Sequence, residues 1–149
     1  MVMLLDVDGV ILDNSLYDPE WDRLAGQAFS PHLGGPADTW HAAQSDAWIR
    51  VSSKEYRELS QMPESSWPHP SDWWDRVNAE WIEEACKVVG VTAPGTPRAR
   101  TDVAEQALDF FCRNTESFFP DIVDAIRQLS QRFELHMASG NPAWIVEAL

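Results

Sequence analysis

Val2-Met3-Leu4-Leu5-Asp6-Val7 opens the chain with a nearly unbroken apolar run that ends in Asp8-Gly9. A short run of this kind, without polar alternation, predicts a strand covered on both faces in a parallel sheet. In open α/β sheets the carboxyl end of such a strand is where ligands bind. From about Asn14 to Phe118 the apolar period lengthens to that of helices. Asp18 before Pro19 predicts an N-cap and first turn, with Trp21, Leu24, Ala25 and Ala28 on one face. Ser52 with Glu55 reads as a capping box ahead of Tyr56 and Leu59. Ser71 is placed to cap a helix in which Trp74, Val77, Trp81, Ala85 and Val88 recur at three- and four-residue steps as far as Gly90. Thr101 stands in the same relation to Val103, Ala107, Phe110 and Phe111. Proline-rich joints at 62–70 and 92–97 separate these segments. Near Pro120 the first texture returns. A helix is predicted over 120–131 with Ile122, Val123, Ile126 and Leu129 inward, then a second buried strand from Phe133 to Ala138 that runs into Ser139-Gly140, then a last helix from Pro142.

Composition narrows the choice of partners. With 149 residues, 44% of them hydrophobic, the chain can bury a core, and one domain or a core with an insertion is expected. A formal charge of −13 repels phosphate backbones and anionic lipid, so nucleic acid and membrane surfaces are excluded as partners. The apolar opening is too short for a span and carries no basic residues before it, which predicts a cytoplasmic protein. Cys86 and Cys112, far apart and outside any paired spacing, read as two buried thiols.

Asp6 and Asp8 are the residues whose chemistry stands out. Two carboxylates two positions apart at a strand end leave the pleat on the same side, and their mutual repulsion calls for a cation. Mg²⁺ suits them, because it takes one or two carboxylates, keeps several waters and shares phosphate oxygens with a substrate. One carboxylate could then act as nucleophile and the other as general acid and base, the alternative being a plain polar turn. An EF-hand is excluded, since Gly9 comes two positions too early.

Leu4-Leu5-Asp6-Val7-Asp8-Gly9-Val10-Ile11 resembles the first motif of the haloacid dehalogenase superfamily, an apolar strand followed by Asp-x-Asp-Gly. Leu135-His136-Met137-Ala138-Ser139-Gly140-Asn141 resembles the second, an apolar strand ending in Ser or Thr. The resemblance, to the phosphoglycolate-phosphatase-like members in particular, implies an α/β fold. Its partial Rossmann-like parallel-sheet core would comprise residues 1–13 and 119–149, with a helical cap inserted after the first strand at 14–118. It implies a Mg²⁺-dependent phosphatase acting on a small phosphorylated metabolite. Asp6 would attack phosphorus and form an aspartyl phosphate, Asp8 would serve as acid and base, Ser139 with Gly140 and Gly9 would hold the phosphoryl group, and Asp6 and Asp8 would bind the metal. An acid at position 8 favours ester hydrolysis over dehalogenation, and a dehalogenase or phosphomutase is the weaker alternative.

Seven of the eight tryptophans fall in the expected cap. Trp74 and Trp81, at helical spacing, are expected in its core, and Trp67, in a proline-rich joint, is expected to face substrate. His136 is expected as a hydrogen-bonded core residue. Lys54, Arg50 and Arg57 could reach a substrate anion, although such charges more often form a solvated face. The superfamily's third-motif base and fourth-motif acids have no counterpart, since no Lys or Arg follows Ser139 and the one later acid is Glu147. The chain therefore reads as the front part of such a protein, with a possible homodimer through its open sheet edge, or as a catalytically incomplete remnant acting as a binding or assembly module.

Overall fold

The computed structural model describes residues 2–6 and 10–138. The chain is an α/β protein, mostly helical, with a two-stranded parallel sheet. It divides into two compact units, Met1–Trp21 with Phe111–Leu149, and Asp22–Phe110. The division falls inside α1 (Asn14–Leu33) and α4 (Pro97–Asn114).

In the unit of residues 22–110, helices form where apolar stripes recur, but several begin away from the expected caps. α1 starts at Asn14, because the Asp13 carboxylate accepts hydrogen bonds from the Ser15 amide at 3.0 Å and its hydroxyl at 2.6 Å. Asp18 and Pro19 thus lie inside the helix, and Pro19 forgoes one bond to the carbonyl of Ser15. Leu24, Ala25, Ala28 and Phe29 are buried. Gly26 lies among them, where a Cβ would collide with the carbonyl oxygen of Ala37.

α2 (Trp40–Ser60) runs straight through the expected capping box. Ser52 is mid-helix, with its hydroxyl donating to the carbonyl of Trp48 at 2.7 Å, and Glu55 is buried against Arg76. A serine whose hydroxyl is absorbed by the preceding turn leaves the helix unbroken. The buried stripe of α2 is Trp40, Ala43, Gln44, Ala47, Val51 and Glu55. It packs on α3 (Pro70–Val89), whose buried face is Val77, Asn78, Ala79, Trp81, Ile82, Ala85 and Cys86. The α3 cap is His69 rather than Ser71; its ring accepts from the Ser71 amide at 3.4 Å. The helix ends at Gly90 in the left-handed region, φ 81°, as its position predicts. Val88, two residues before Gly90, is exposed. α4 is capped by Thr96, which accepts from the Ala99 amide at 3.2 Å. Thr101 is buried within α4 and donates to the carbonyl of Asp75 at 3.0 Å, joining α4 to α3. Both cysteines are buried and free, as expected.

In the other unit, β1 (Val2–Asp6) pairs in parallel with β2 (Glu134–Ala138), from Val2 opposite Glu134 to Asp6 opposite Ala138. The expected cover on both faces is absent among the described residues. Val2 and Leu4 are 56% and 67% exposed, and Met137 is exposed as well. His136 is correspondingly no core residue; it is exposed and stands 3.0 Å from the Glu134 carboxylate. An apolar run records that a strand needs cover but not which segment supplies it. α5 (Ile122–Ser130) precedes β2, with Ile122, Ile126 and Leu129 half-buried and Val123 exposed, against the expectation that Val123 points inward.

This unit also holds the two passages of chain nearest the division. Leu12 bridges Phe118 in antiparallel fashion, and the Asp13 amide donates to the carbonyl of Ser117 at 2.8 Å. One oxygen of Glu20 accepts from the hydroxyls of Thr115 and Ser117, both at 2.6 Å, and from the Glu116 amide at 2.9 Å. Trp21 stacks on Phe111 with ring centroids 3.5 Å apart. No helix among the described residues is long and apolar enough to cross a membrane.

Candidate active site

The site expected from the sequence is a strand end, and that is where Asp6 lies. It is the last residue of β1, with an exposed side chain. The register sets it opposite Ala138, the last residue of β2. Neighbouring strands run about 4.8 Å apart, so the carboxyl ends of the two strands finish side by side. Asp8, Gly9, Ser139 and Gly140 lie outside the described residues.

An exposed carboxylate at the open end of a parallel strand pair is an oxygen donor of the kind a hard divalent ion takes. Among the described residues, no three His, Cys, Asp or Glu side chains are grouped so that they could hold a metal ion. The second carboxylate expected to share one with Asp6 is Asp8.

Lys54 and the cations of the α3–α4 groove are already matched by carboxylates. Lys54, considered a candidate for a substrate anion, is held by both oxygens of Glu80 at 2.7 and 2.9 Å, and that hydrogen bond raises its pKa above the ordinary lysine value. An open groove of about 540 Å³ between α3 and α4 contains Arg76, Lys87, Arg98 and Arg100. Each already faces a carboxylate: Glu55 for Arg76, Glu83 and Glu84 for Lys87, Asp102 for Arg98, and Glu83 for Arg100. Arg100 also donates to the carbonyls of Ala79 and Pro94, at 3.2 and 3.0 Å. The groove is neutralised by its own walls. Trp67, expected to face substrate, is half-exposed on its joint and donates its indole N–H to the carbonyl of Leu59 at 3.2 Å.

Sequence reasoning missed Glu20. Its partners stand 95 to 97 residues away, and no local spacing announces such a contact. It missed Asn78 as well, which sits at the middle of the buried face of α3 with both side-chain polar atoms unpartnered among the described residues. The chain matches no protein-family model, no curated protein and no solved structure, so its own residues carry the functional reading.

Proposed function

We propose that the chain belongs to the haloacid dehalogenase superfamily and carries the first two motifs of a phosphatase site for a small organic phosphate. One observation supports this above the others: the parallel register sets Asp6 beside Ala138, the residue before Ser139. Two motifs more than 130 positions apart are thereby attached to neighbouring strand ends, as a shared phosphoryl site requires.

In this reading Asp6 attacks phosphorus while Asp8 gives its proton to the departing ester oxygen, leaving an aspartyl phosphate. Asp8 then takes a proton from water as that water attacks the same phosphorus, which frees phosphate and restores Asp6. Ser139 donates a hydrogen bond to a phosphoryl oxygen, with Gly9 and Gly140 allowing close approach of the backbone. Asp6 and Asp8 would hold Mg²⁺, which supplies charge neutralisation for the phosphoryl group. The charge of −13 disfavours long polyanions and leaves small phosphorylated metabolites as the substrate class.

The test is release of inorganic phosphate from an aryl phosphate and from an alkyl phosphate. Asp6→Asn should abolish both, by several orders of magnitude. Asp8→Asn should slow the alkyl ester more, because its leaving oxygen needs the proton. Turnover by Asp6→Asn at the rate of the parent would overturn the assignment.

A second reading, assembly through the sheet as a homodimer, is favoured by the exposure of Val2 and Leu4 on one face. Sedimentation distinguishes it: a dimer that Leu4→Lys dissociates supports assembly, and a monomer at all concentrations refutes it.

A further inference from the structure

Five redox-active rings follow one another through the helical unit. Tyr56 lies 5.6 Å from Trp73 between ring centroids, Trp73 6.1 Å from Trp74, Trp74 6.1 Å from Trp48, and Trp48 5.5 Å from Trp81. Rings at these separations touch edge to face or tilted. Electron exchange between such neighbours needs no bridging group.

The surroundings of the rings differ along the row. Trp81 is buried, Trp48, Trp73 and Trp74 are half-buried, and Tyr56 is 60% exposed. The indole N–H groups of Trp73 and Trp74 are sealed from solvent and meet no acceptor among the described residues. Unpaired, they cost stability without serving the packing. They have a consequence for oxidation. An indole that loses an electron becomes a strong acid at nitrogen, and in water it sheds that proton and turns into a weaker oxidant. Sealed from solvent and without an acceptor among the described residues, Trp73 and Trp74 keep the proton and stay strong enough to take an electron from a neighbour. Tyr56, facing solvent, can release its phenolic proton to water once oxidised, which traps the radical there.

We propose that Trp81, Trp48, Trp74, Trp73 and Tyr56 form a relay in which small inorganic radicals of the azidyl or carbonate class are discharged at an indole and the oxidising equivalent passes out of the helical core to the Tyr56 phenol. The radical takes one electron from an indole and becomes its anion, azide or carbonate. The indole radical cation regains an electron from the next ring. The last electron comes from Tyr56, whose O–H bond breaks, with the proton passing to water and a neutral phenoxyl radical remaining.

Pulse radiolysis in azide solution tests this on the whole chain, since azidyl oxidises tryptophan in preference to tyrosine at neutral pH. The indolyl absorbance should decay as a phenoxyl absorbance grows, at a rate independent of protein concentration. Tyr56→Phe should lose the phenoxyl growth and prolong the indolyl signal. Trp73→Phe, which keeps an aromatic ring in place, should slow the growth. Phenoxyl growth that persists in Tyr56→Phe, that scales with protein concentration, or that is unchanged in Trp73→Phe would overturn the relay. Circular dichroism of each variant distinguishes a broken relay from a broken fold.

Discussion

The helical unit and the two-stranded sheet are both built from apolar runs, yet one closes on itself and the other, among the described residues, leaves apolar side chains exposed. α2 and α3 meet across a nine-residue joint, so Trp40, Ala47, Val51, Val77, Trp81 and Ala85 find their cover within a stretch of 50 residues. β1 and β2 supply each other with hydrogen bonds, but Val2, Leu4 and Met137 remain exposed. A helical hairpin brings its own second layer, whereas a strand pair satisfies only the backbone groups between its two strands and leaves its faces to be covered from elsewhere. Apolar character alone is thus a poor guide to burial; what matters is whether a covering element lies close in the chain.

Truncation of the same chemistry in both places tests that contrast most sharply. Trp81→Ala should cost about 3–5 kcal/mol, as a large buried side chain is lost and the carbonyl of Gln44 loses its indole donor at 2.9 Å. Leu4→Ala should fall within about 0.5 kcal/mol of the parent, as exposed substitutions do. Urea titrations of the two variants give the answer, and a large loss for Leu4→Ala would mean that the sheet face is covered in solution.

Glu20→Ala should come next. It removes three hydrogen bonds to one carboxylate oxygen and leaves the buried Ser117 hydroxyl without its acceptor, at a cost of about 2–3 kcal/mol. The smallest effect is electrostatic. The hydrogen bond from Lys87, aided by its charge and that of Arg100, holds the Glu83 pKa below the ordinary glutamate value. A depressed folded-state pKa gives stability that is present above the unfolded value and is lost as pH falls through the folded one. Glu83→Gln should therefore lower stability slightly at neutral pH and leave it nearly unchanged at acid pH, which flattens the acid limb of the profile, and the effect is small because the groove is open to solvent.

Period and breakers made most of the helical unit legible in advance. The α3 stripe and its glycine stop were readable because both signals are local. Helix starts were less so. Asp18–Pro19 and Ser52–Glu55 carry the right residue types for caps, but Asp13 caps first and Ser52 is bonded back to Trp48, so the continuing apolar stripe outweighed both signals. The strand pairing was legible as two apolar runs, and Asp6 at a strand end followed from the first. The Glu20 contacts were illegible, because they join residues nearly 100 positions apart through side chains that look ordinary in each segment.

Those Glu20 contacts also constrain the order of folding. Bringing Glu20 to Ser117 in an open chain closes a loop of 97 residues, an entropy cost that grows with the logarithm of loop length and precedes any return. Once the helical hairpin of α2 and α3 has formed from local contacts, much of that loop is already compact and the remaining search is short. Non-local pairing should then follow, with the strands last. In a stopped-flow experiment the fast phase would carry the tryptophan signal of the hairpin. Loss of the Glu20 carboxylate would leave that phase alone and slow the later one, so that a single oxygen atom governs how quickly the two distant ends of the chain find one another.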